Sequence, residues 1–346
     1  MSKVVIGMSG GVDSSVAAAL LKEQGHKVIG VTMVTWDGGE VVSGAVDDAR
    51  KVADELGVPY HVLDFKKQFK CNVMDYFTDE YVHGRTPNPC IVCNRYVKWE
   101  ALLEEGKKFG AEYVATGHYA NIVKLDNGRY TLKRADNLAK DQTYALYNLT
   151  QDQLERTMMP VGQFTKEEIR AKAESMGISV ADKPDSQDIC FIPDGDYASF
   201  VRANADAEIK EGNFITPDGK VVGKHKGIIH YTVGQRKGLG VALGYPAFVI
   251  EIRPETNEVV IGSKEESMIK SFKVNRLNFM AVEDITEPMH LFVKIRYNHK
   301  GTYCTVERTG EDELTCTFDN LEKAVTPGQA AVFYDNDVIV GGGTII

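Results

Sequence analysis

A chain of 346 residues, 43% apolar and 26% charged, is long enough to bury two or three packed cores. It contains no apolar run that could cross a membrane, its N-terminus enters a strand with no signal peptide, and its six unevenly spaced cysteines do not form a secreted disulfide framework. A reducing cytoplasm is the expected compartment, and a net charge of −9 means that a nucleic-acid partner needs a locally basic face.

The chain opens with the β-branched run Val4-Val5-Ile6, which predicts a buried strand. It breaks at Ser9-Gly10-Gly11 and resumes as a helix through Val16 to Leu21. A strand, a glycine turn and a helix N-terminus make an anion site, because backbone N–H groups point outward and the helix dipole favours negative charge. The loop Gly7-Met8-Ser9-Gly10-Gly11-Val12-Asp13-Ser14 has neither the lysine of a Walker A loop nor the GxGxxG of a dinucleotide fold. Further strands are predicted at Lys27 to Val34, Tyr60 to Asp64 and Ala111 to His118, with a helix from Val46 to Leu56 stopped by Gly57. Alternating strands and helices predict a doubly wound parallel sheet with ligands at the strand C-terminal ends, where Met33 and Gly117 would join the loop in framing an adenine. Singly, Met33 also fits a core and Gly117 a turn.

Between the third and fourth strands, Pro87 and Pro89 exclude regular helix up to Cys90, and helix is predicted from about Arg95. A thiol just before a helix is expected to have a lowered pKa. The spacing Cys90-x2-Cys93 alone fits zinc, an iron–sulfur site or redox chemistry, but zinc lacks a second ligand pair. Lys140-Asp141-Gln142-Thr143 reads locally as a capping turn, and Phe164 to Met176 as an amphipathic helix starting at Thr165 and stopped by Gly177. Cys190 sits between the polar Asp182 to Asp188 and a short apolar run, and taken alone suits a buried structural cysteine. From about Asp206 glycines and short alternating segments replace helices, and Ile228 to Gly240 is basic and glycine-rich. From about Ser271 a small antiparallel barrel or sandwich is predicted, with strands His290 to Tyr297, Tyr303 to Arg308, Leu314 to Phe318 and Ala330 to Tyr334. Arg296-Tyr297-Asn298-His299-Lys300 is a cationic cluster with one aromatic that also fits a surface hairpin, and Cys71, Cys304 and Cys316 read as structural.

The opening loop resembles the SGGxDS pyrophosphate loop of the N-type ATP pyrophosphatases, which cleave ATP to AMP and pyrophosphate and adenylate a substrate oxygen. The loop is followed in order by Thr86-Pro87-Asn88-Pro89, Thr116-Gly117-His118-Tyr119, Lys140-Asp141-Gln142, Ser186-Gln187-Asp188-Ile189-Cys190-Phe191 and Gly234-Gln235-Arg236-Lys237-Gly238-Leu239-Gly240. Together these make nearly the whole chain similar to the tRNA-specific 2-thiouridylase family, MnmA. The resemblance implies an α/β fold: a doubly wound pyrophosphatase domain of the adenine nucleotide alpha hydrolase type, then a small central domain and a C-terminal β barrel, over 1–205, 206–270 and 271–346. It implies that ATP with Mg2+ is held by Gly7, Met8, Ser9, Gly10, Gly11, Val12, Asp13, Ser14, Met33 and Gly117. Cys190 would carry a persulfide and Cys93 would be its nucleophilic partner, the two closing as a disulfide after transfer. Asn88, Pro89 and Cys90 would meet the target base, while His118, Lys140, Asp141, Gln142, Arg296, Tyr297 and Gln329 would contact tRNA. Its implied partners are tRNAs accepting glutamate, glutamine and lysine, and a cysteine desulfurase or sulfur-relay protein as persulfide donor.

One residue departs from the pattern. Many family members have an aspartate where this chain has Cys90, so a general acid/base carboxylate is missing and a third thiol joins Cys93 and Cys190. Three thiolates could instead hold an iron–sulfur cluster with one open iron. Two other readings share the loop: an amidating pyrophosphatase, which would not require Cys93 and Cys190, and an RNA-binding protein with a relict ATP site.

Overall fold

The computed structural model describes residues 1–181, 183 and 189–346. The β-branched runs build one parallel sheet from β1 (Lys3–Gly7), β2 (Lys27–Val34), β3 (Tyr60–Asp64), β4 (Tyr113–Ala115) and, beyond the hairpin β5 (Asn121–Lys124) and β6 (Tyr130–Lys133), β7 (Thr157–Met158). Its order is β3-β2-β1-β4-β7, and every neighbouring pair is parallel. Helices α1 (Val12–Glu23) and α2 (Gly39–Leu56), with the helix Lys166–Ser175, cover one face through Val16, Ala53 and Ile169. Trp99, Leu102 and Tyr144 cover the other, so Val4, Val5 and Ile6 are wholly buried, as a sheet covered on both faces requires. The order turns back between β1 and β4, which opens a crevice at their C-terminal ends.

Three boundaries differ from the sequence expectation. α2 starts at Gly39 rather than Val46, because its first turns bury little: Val41 is 64% exposed, and apolar periodicity marks only the packed half. β4 stops at Ala115: Thr116 N–H still donates to Met158 O of β7 at 3.2 Å, and Gly117 then turns against the start of α1. Helix begins at Pro89 rather than beyond Cys90. Asn88 caps it by accepting the Cys90 N–H at 3.2 Å, and proline is tolerated in the first helical position because that N–H has no partner to lose.

The middle segment folds as β8 (Gly212–Ile215), β9 (Val221–His225), β10 (Phe248–Arg253) and β11 (Glu258–Gly262) in the order β10-β11-β8-β9. Its core residues Phe214, Val249 and Ile261 share one cluster with Phe77, Cys93 and Phe191. The C-terminal segment is a closed antiparallel barrel of β12 (Met268–Phe279), β13 (Met289–Lys294), β14 (Thr302–Gly310), β15 (Glu313–Lys323), β16 (Ala330–Asp335) and β17 (Val338–Ile345). β12 pairs with both β15 and β17 to close it. Alternation along β15 turns Leu314, Cys316 and Phe318 inward, and Cys304 lies with them. Cys71 is helical but exposed, so it has no core role. The β5–β6 hairpin does not join the parallel sheet: Lys133 pairs with Val338, and Thr131 Oγ1 donates to the Ile339 carbonyl at 2.6 Å. Among the described residues no helix is long and apolar enough to cross a membrane.

Candidate active site

The crevice between β1 and β4 is lined by the loop that joins β1 to α1. Gly11 precedes α1 with no side-chain cap, and among the described residues the N–H groups of Gly10 through Ser14 have no protein acceptor. Five outward N–H groups at a helix N-terminus suit a polyphosphate. Gly10 has φ of +70°, and a Cβ there would lie 2.5 Å from the Ala45 carbonyl oxygen, so only glycine fits. Ser14 Oγ braces the loop, accepting from Ser9 N at 3.2 Å and donating to Gly11 O at 3.1 Å. Gly117 reaches the loop from β4: a Cβ there would meet the Ser14 nitrogen at 2.6 Å. Met33, at the end of β2, lies against Gly7. Met8 is committed elsewhere, its N–H bonded to Val31 O at 2.8 Å and its side chain buried against Gly30.

The Asp13 carboxylate takes both oxygens' worth of contact from Lys166 Nζ, at 2.8 and 2.9 Å, and a hydrogen bond from Tyr119 Oη at 2.7 Å. Lys166 is only 6% exposed and begins a helix fixed by the Thr165–Glu168 capping box. It also borders an open cleft of about 990 Å³ with Lys140 and Arg170. No sequence signal named Lys166, because its partner lies far away in the chain.

The thiols lie beyond Met33, which packs against the cluster containing Cys93. All six cysteines are free; Cys93 is buried, while Cys90 and Cys190 are exposed. Cys90 and Cys93 stand three residues apart on one short helix, and Cys93 shares its buried cluster with Phe191, the residue after Cys190. Burial pushes the Cys93 thiol up to about 12, with a smaller opposing pull from the Lys98 ammonium. This reverses the expected lowering: desolvation of a thiolate outweighs the field of a short helix. Cys190 is raised as well, because its sulfur is desolvated although the residue as a whole is exposed, with the same Lys98 opposing. Lys98 stands in the π-helical stretch Asn94–Ala101, and widened turns of this kind are common at functional sites. The sequence did not single it out. The stretch is pinned by Asn94 Nδ2 to Ala145 O at 2.8 Å and by Trp99 Nε1 to Thr157 Oγ1 at 2.7 Å.

The residues expected to meet RNA divide into braces and exposed groups. His118 is held neutral by burial and by Lys98, its Nδ1 2.8 Å from Thr116 Oγ1 and its ring tilted against Trp99. Asp141 accepts from Ala135 N at 3.1 Å and from Thr143 Oγ1 at 2.8 Å at the start of the helix Thr143–Leu146, whereas Gln142, in the N-cap position, makes no side-chain cap among the described residues and instead accepts the Tyr119 N–H at 2.9 Å. Gln329 donates to the Thr86 carbonyl at 2.8 Å and thereby holds the segment leading to Asn88, Pro89 and Cys90. Tyr297 is 42% exposed, with its hydroxyl 3.4 Å from Asp141 O, and Arg296 donates to Ala324 O at 3.2 Å. Ser186, Gln187 and Asp188 lie outside the described residues.

Comparison with known proteins gives three consecutive domain matches. Residues 2–194 match the model described as tRNA methyl transferase HUP domain, 199–263 its PRC-barrel domain, and 269–345 the aminomethyltransferase beta-barrel domain. The tRNA-specific 2-thiouridylase MnmA of Lachnoclostridium phytofermentans is 59% identical over 356 residues, covering 100% of both chains. That of Acetivibrio thermocellus is 52% identical over 354 residues, covering 99% of each. A solved 4-thiouridine synthetase–RNA complex with bound ATP is 19% identical, covers 58% of this chain and 50% of that one, and superposes with a TM-score of 0.36. Matched from end to end by such relatives, with the HUP model alone spanning more than half of its residues, this chain belongs to the tRNA-specific 2-thiouridylase family.

Proposed function

We propose that the protein converts the wobble uridine of tRNA to 2-thiouridine, with Cys190 as persulfide carrier and Cys93 as the thiol that releases the product. The observation that carries this is a buried cluster holding Cys93 and Phe191, the neighbour of Cys190, joined through Met33 to a glycine loop whose N–H groups have no protein acceptor among the described residues. The loop residues Gly7 to Ser14, with Gly117 and Met33 at its rim, fit ATP: bare N–H groups face the phosphates and glycine backbone allows close approach. ATP supplies the adenylyl group that turns the uracil C2 oxygen into a leaving group. The loop carboxylate Asp13 is already bound by Lys166 and Tyr119, so Mg2+ enters as the companion of the phosphates rather than as an ion held by a protein cage.

The chain's own residues then handle the sulfur. The terminal sulfur of a Cys190 persulfide attacks C2, and the oxygen departs with AMP, leaving tRNA joined to Cys190 through S–S. Cys93, as thiolate, attacks the Cys190 sulfur. The S–S bond breaks, its electron pair stays on the tRNA sulfur, and a Cys93–Cys190 disulfide remains for an external reductant. Asn88 and Pro89 set the helix that presents Cys90 and Cys93 to the extruded base, which an anticodon loop yields more readily than a duplex. The tRNAs are those accepting glutamate, glutamine and lysine, the persulfide donor is a desulfurase or relay protein, and the compartment is the cytoplasm.

Cys90 supports a second reading, in which it joins Cys93 and Cys190 around an iron–sulfur cluster. Among the described residues no three His, Cys, Asp or Glu side chains stand close enough to hold a metal ion, so the thiols would have to draw together first. The test is incubation with tRNA, ATP and a persulfidated donor, followed by mass spectrometry of the nucleosides. Iron-free, chelator-treated enzyme is expected to form 2-thiouridine with AMP and pyrophosphate. Release of ADP overturns the adenylation chemistry, and inactive apo-protein rescued by cluster reconstitution overturns the persulfide route.

A further inference from the structure

Away from the thiols, a pocket of about 460 Å³ opens where three segments meet: Thr86 before the cysteine helix, Thr232 to Gln235 of the middle domain, and Ala324 to Gln329 of the barrel. The volume lies within the range of about 300–1,000 Å³ that holds small organic ligands. We infer that this pocket receives the nucleotide adjoining the reacting uridine, with its phosphate on Arg296 and Lys323 and its base against Phe248. The inference rests on the tRNA reading proposed above and adds a second binding position to it.

The walls are tied to one another. Thr86 Oγ1 donates to Thr232 Oγ1 at 3.1 Å, Thr326 Oγ1 donates to Val233 O at 3.1 Å, and the Thr86 N–H donates to Pro327 O at 2.8 Å. A Cβ on Gly234, which has φ of +90°, would lie 2.3 Å from Ala324 Cβ, and Ala324 itself is held at φ of 54°. A non-glycine residue in that region costs energy that the surrounding contacts must supply. The cavity is therefore built before any ligand arrives.

Its chemistry is selective. The lining includes two cations, Arg296 and Lys323, and no carboxylate. The neighbouring Glu322 points instead to His299, 3.6 Å away. Most polar groups are used up within the walls: Gln235 accepts the Thr232 N–H at 3.0 Å and donates to Lys237 O at 3.0 Å. Among the described residues the Lys323 ammonium makes no hydrogen bond or ion pair, and Arg296 spends one N–H, on Ala324 O. Phe248 adds a half-buried aromatic ring. Free cationic donors beside an aromatic face, with little other hydrogen-bonding capacity, suit a phosphate joined to a flat ring system, and single-stranded RNA bases are recognised by such stacking. The place is consistent with the neighbouring nucleotide, because the Thr86 wall leads within four residues to Cys90.

The test uses the full-length protein and tRNA transcripts carrying 2-aminopurine in turn on either side of the target uridine. One of the two labels should change its fluorescence on binding wild-type protein, and Phe248→Leu should lose that change while its thermal unfolding stays near wild type. Lys323→Ala should weaken tRNA binding about three- to tenfold and lower the slope of log affinity against log salt by about one, as loss of one phosphate contact does. Lys323→Arg should restore both. An unchanged affinity and slope in Lys323→Ala, or a retained label response in Phe248→Leu, overturns the inference. Binding is read without turnover, so a wild-type protein that fails to thiolate overturns the proposed activity while these same ratios still decide the pocket.

Discussion

Cys93 sets chemistry against burial. Its thiol is raised from 9.0 to about 12, mostly by desolvation, so at neutral pH it waits as a thiol, whereas the S–S cleavage proposed for it needs the thiolate. The rate of product release in a single turnover should therefore climb with pH, about tenfold per unit where cleavage limits, well past the point at which an ordinary cysteine levels off. Stability should move the other way. The unfolded chain gives up this proton first, so the contribution of Cys93 is whole below about pH 9 and is lost as pH rises toward 12. Denaturant midpoints at neutral and alkaline pH should fall more steeply for wild type than for Cys93→Ser, and parallel slopes would refute the burial argument. In the sequence, Cys93 and Cys190 were visible through motif order alone. The sign of the shift was not, because it depends on Phe77, Phe191 and the middle-domain residues that cover the thiol. Lys98 and Lys166 were missed for the same reason: each matters through residues that only folding brings near.

At the level of elements, the loop works because two strands end beside it. Gly117→Ala places a methyl 2.6 Å from the Ser14 nitrogen, and the backbone on either side has no room to retreat. It should cost about 1–3 kcal/mol of stability and abolish pyrophosphate release even where the protein still folds. Thermal unfolding and a pyrophosphate assay would check the two effects separately. Lys166→Ala removes the ammonium from both Asp13 oxygens and, among the described residues, leaves the Tyr119 hydroxyl on that carboxylate; it should cost about 1–3 kcal/mol, read as a lowered urea midpoint. Asp13→Ala should abolish thiolation while tRNA binding stays near wild type. The parallel sheet, the loop, the Thr165 cap and the inward alternation of the barrel strands were all legible, because each is a local pattern. The start of α2 was not, since its early turns contact little and leave no periodic trace.

For the molecule as a whole, an acidic chain must bind an acidic polymer. With a net charge of −9, attraction has to come from a few cations placed together, so tRNA affinity should fall steeply with salt. Arg296→Ala should lower it by about 1–2 kcal/mol and flatten the salt dependence. Filter binding over a salt series would show this, and an unchanged slope would move the tRNA off the barrel. Length and texture told the order of the three folding units. They did not tell that Glu80, buried in the first, is reached by Arg276 of the barrel at 3.5 Å, or that β5 and β6 belong to the barrel sheet. Such pairings have no local signature.

The stitching of that hairpin to β17 bears on how the chain leaves the ribosome. Val338 emerges roughly 200 residues after Lys133, a delay on the order of 10–40 s at about 5–20 residues per second. Until then β6 shows an unpaired edge, and the cluster around Leu132 lacks the part the barrel supplies, Val332, Tyr334 and Ile339. Nascent chains arrested before the last strands should therefore be cut by protease within 121–133 and held by chaperones, whereas released full-length chains should resist. The catalytic half of the molecule is thus finished only once β17 has been translated.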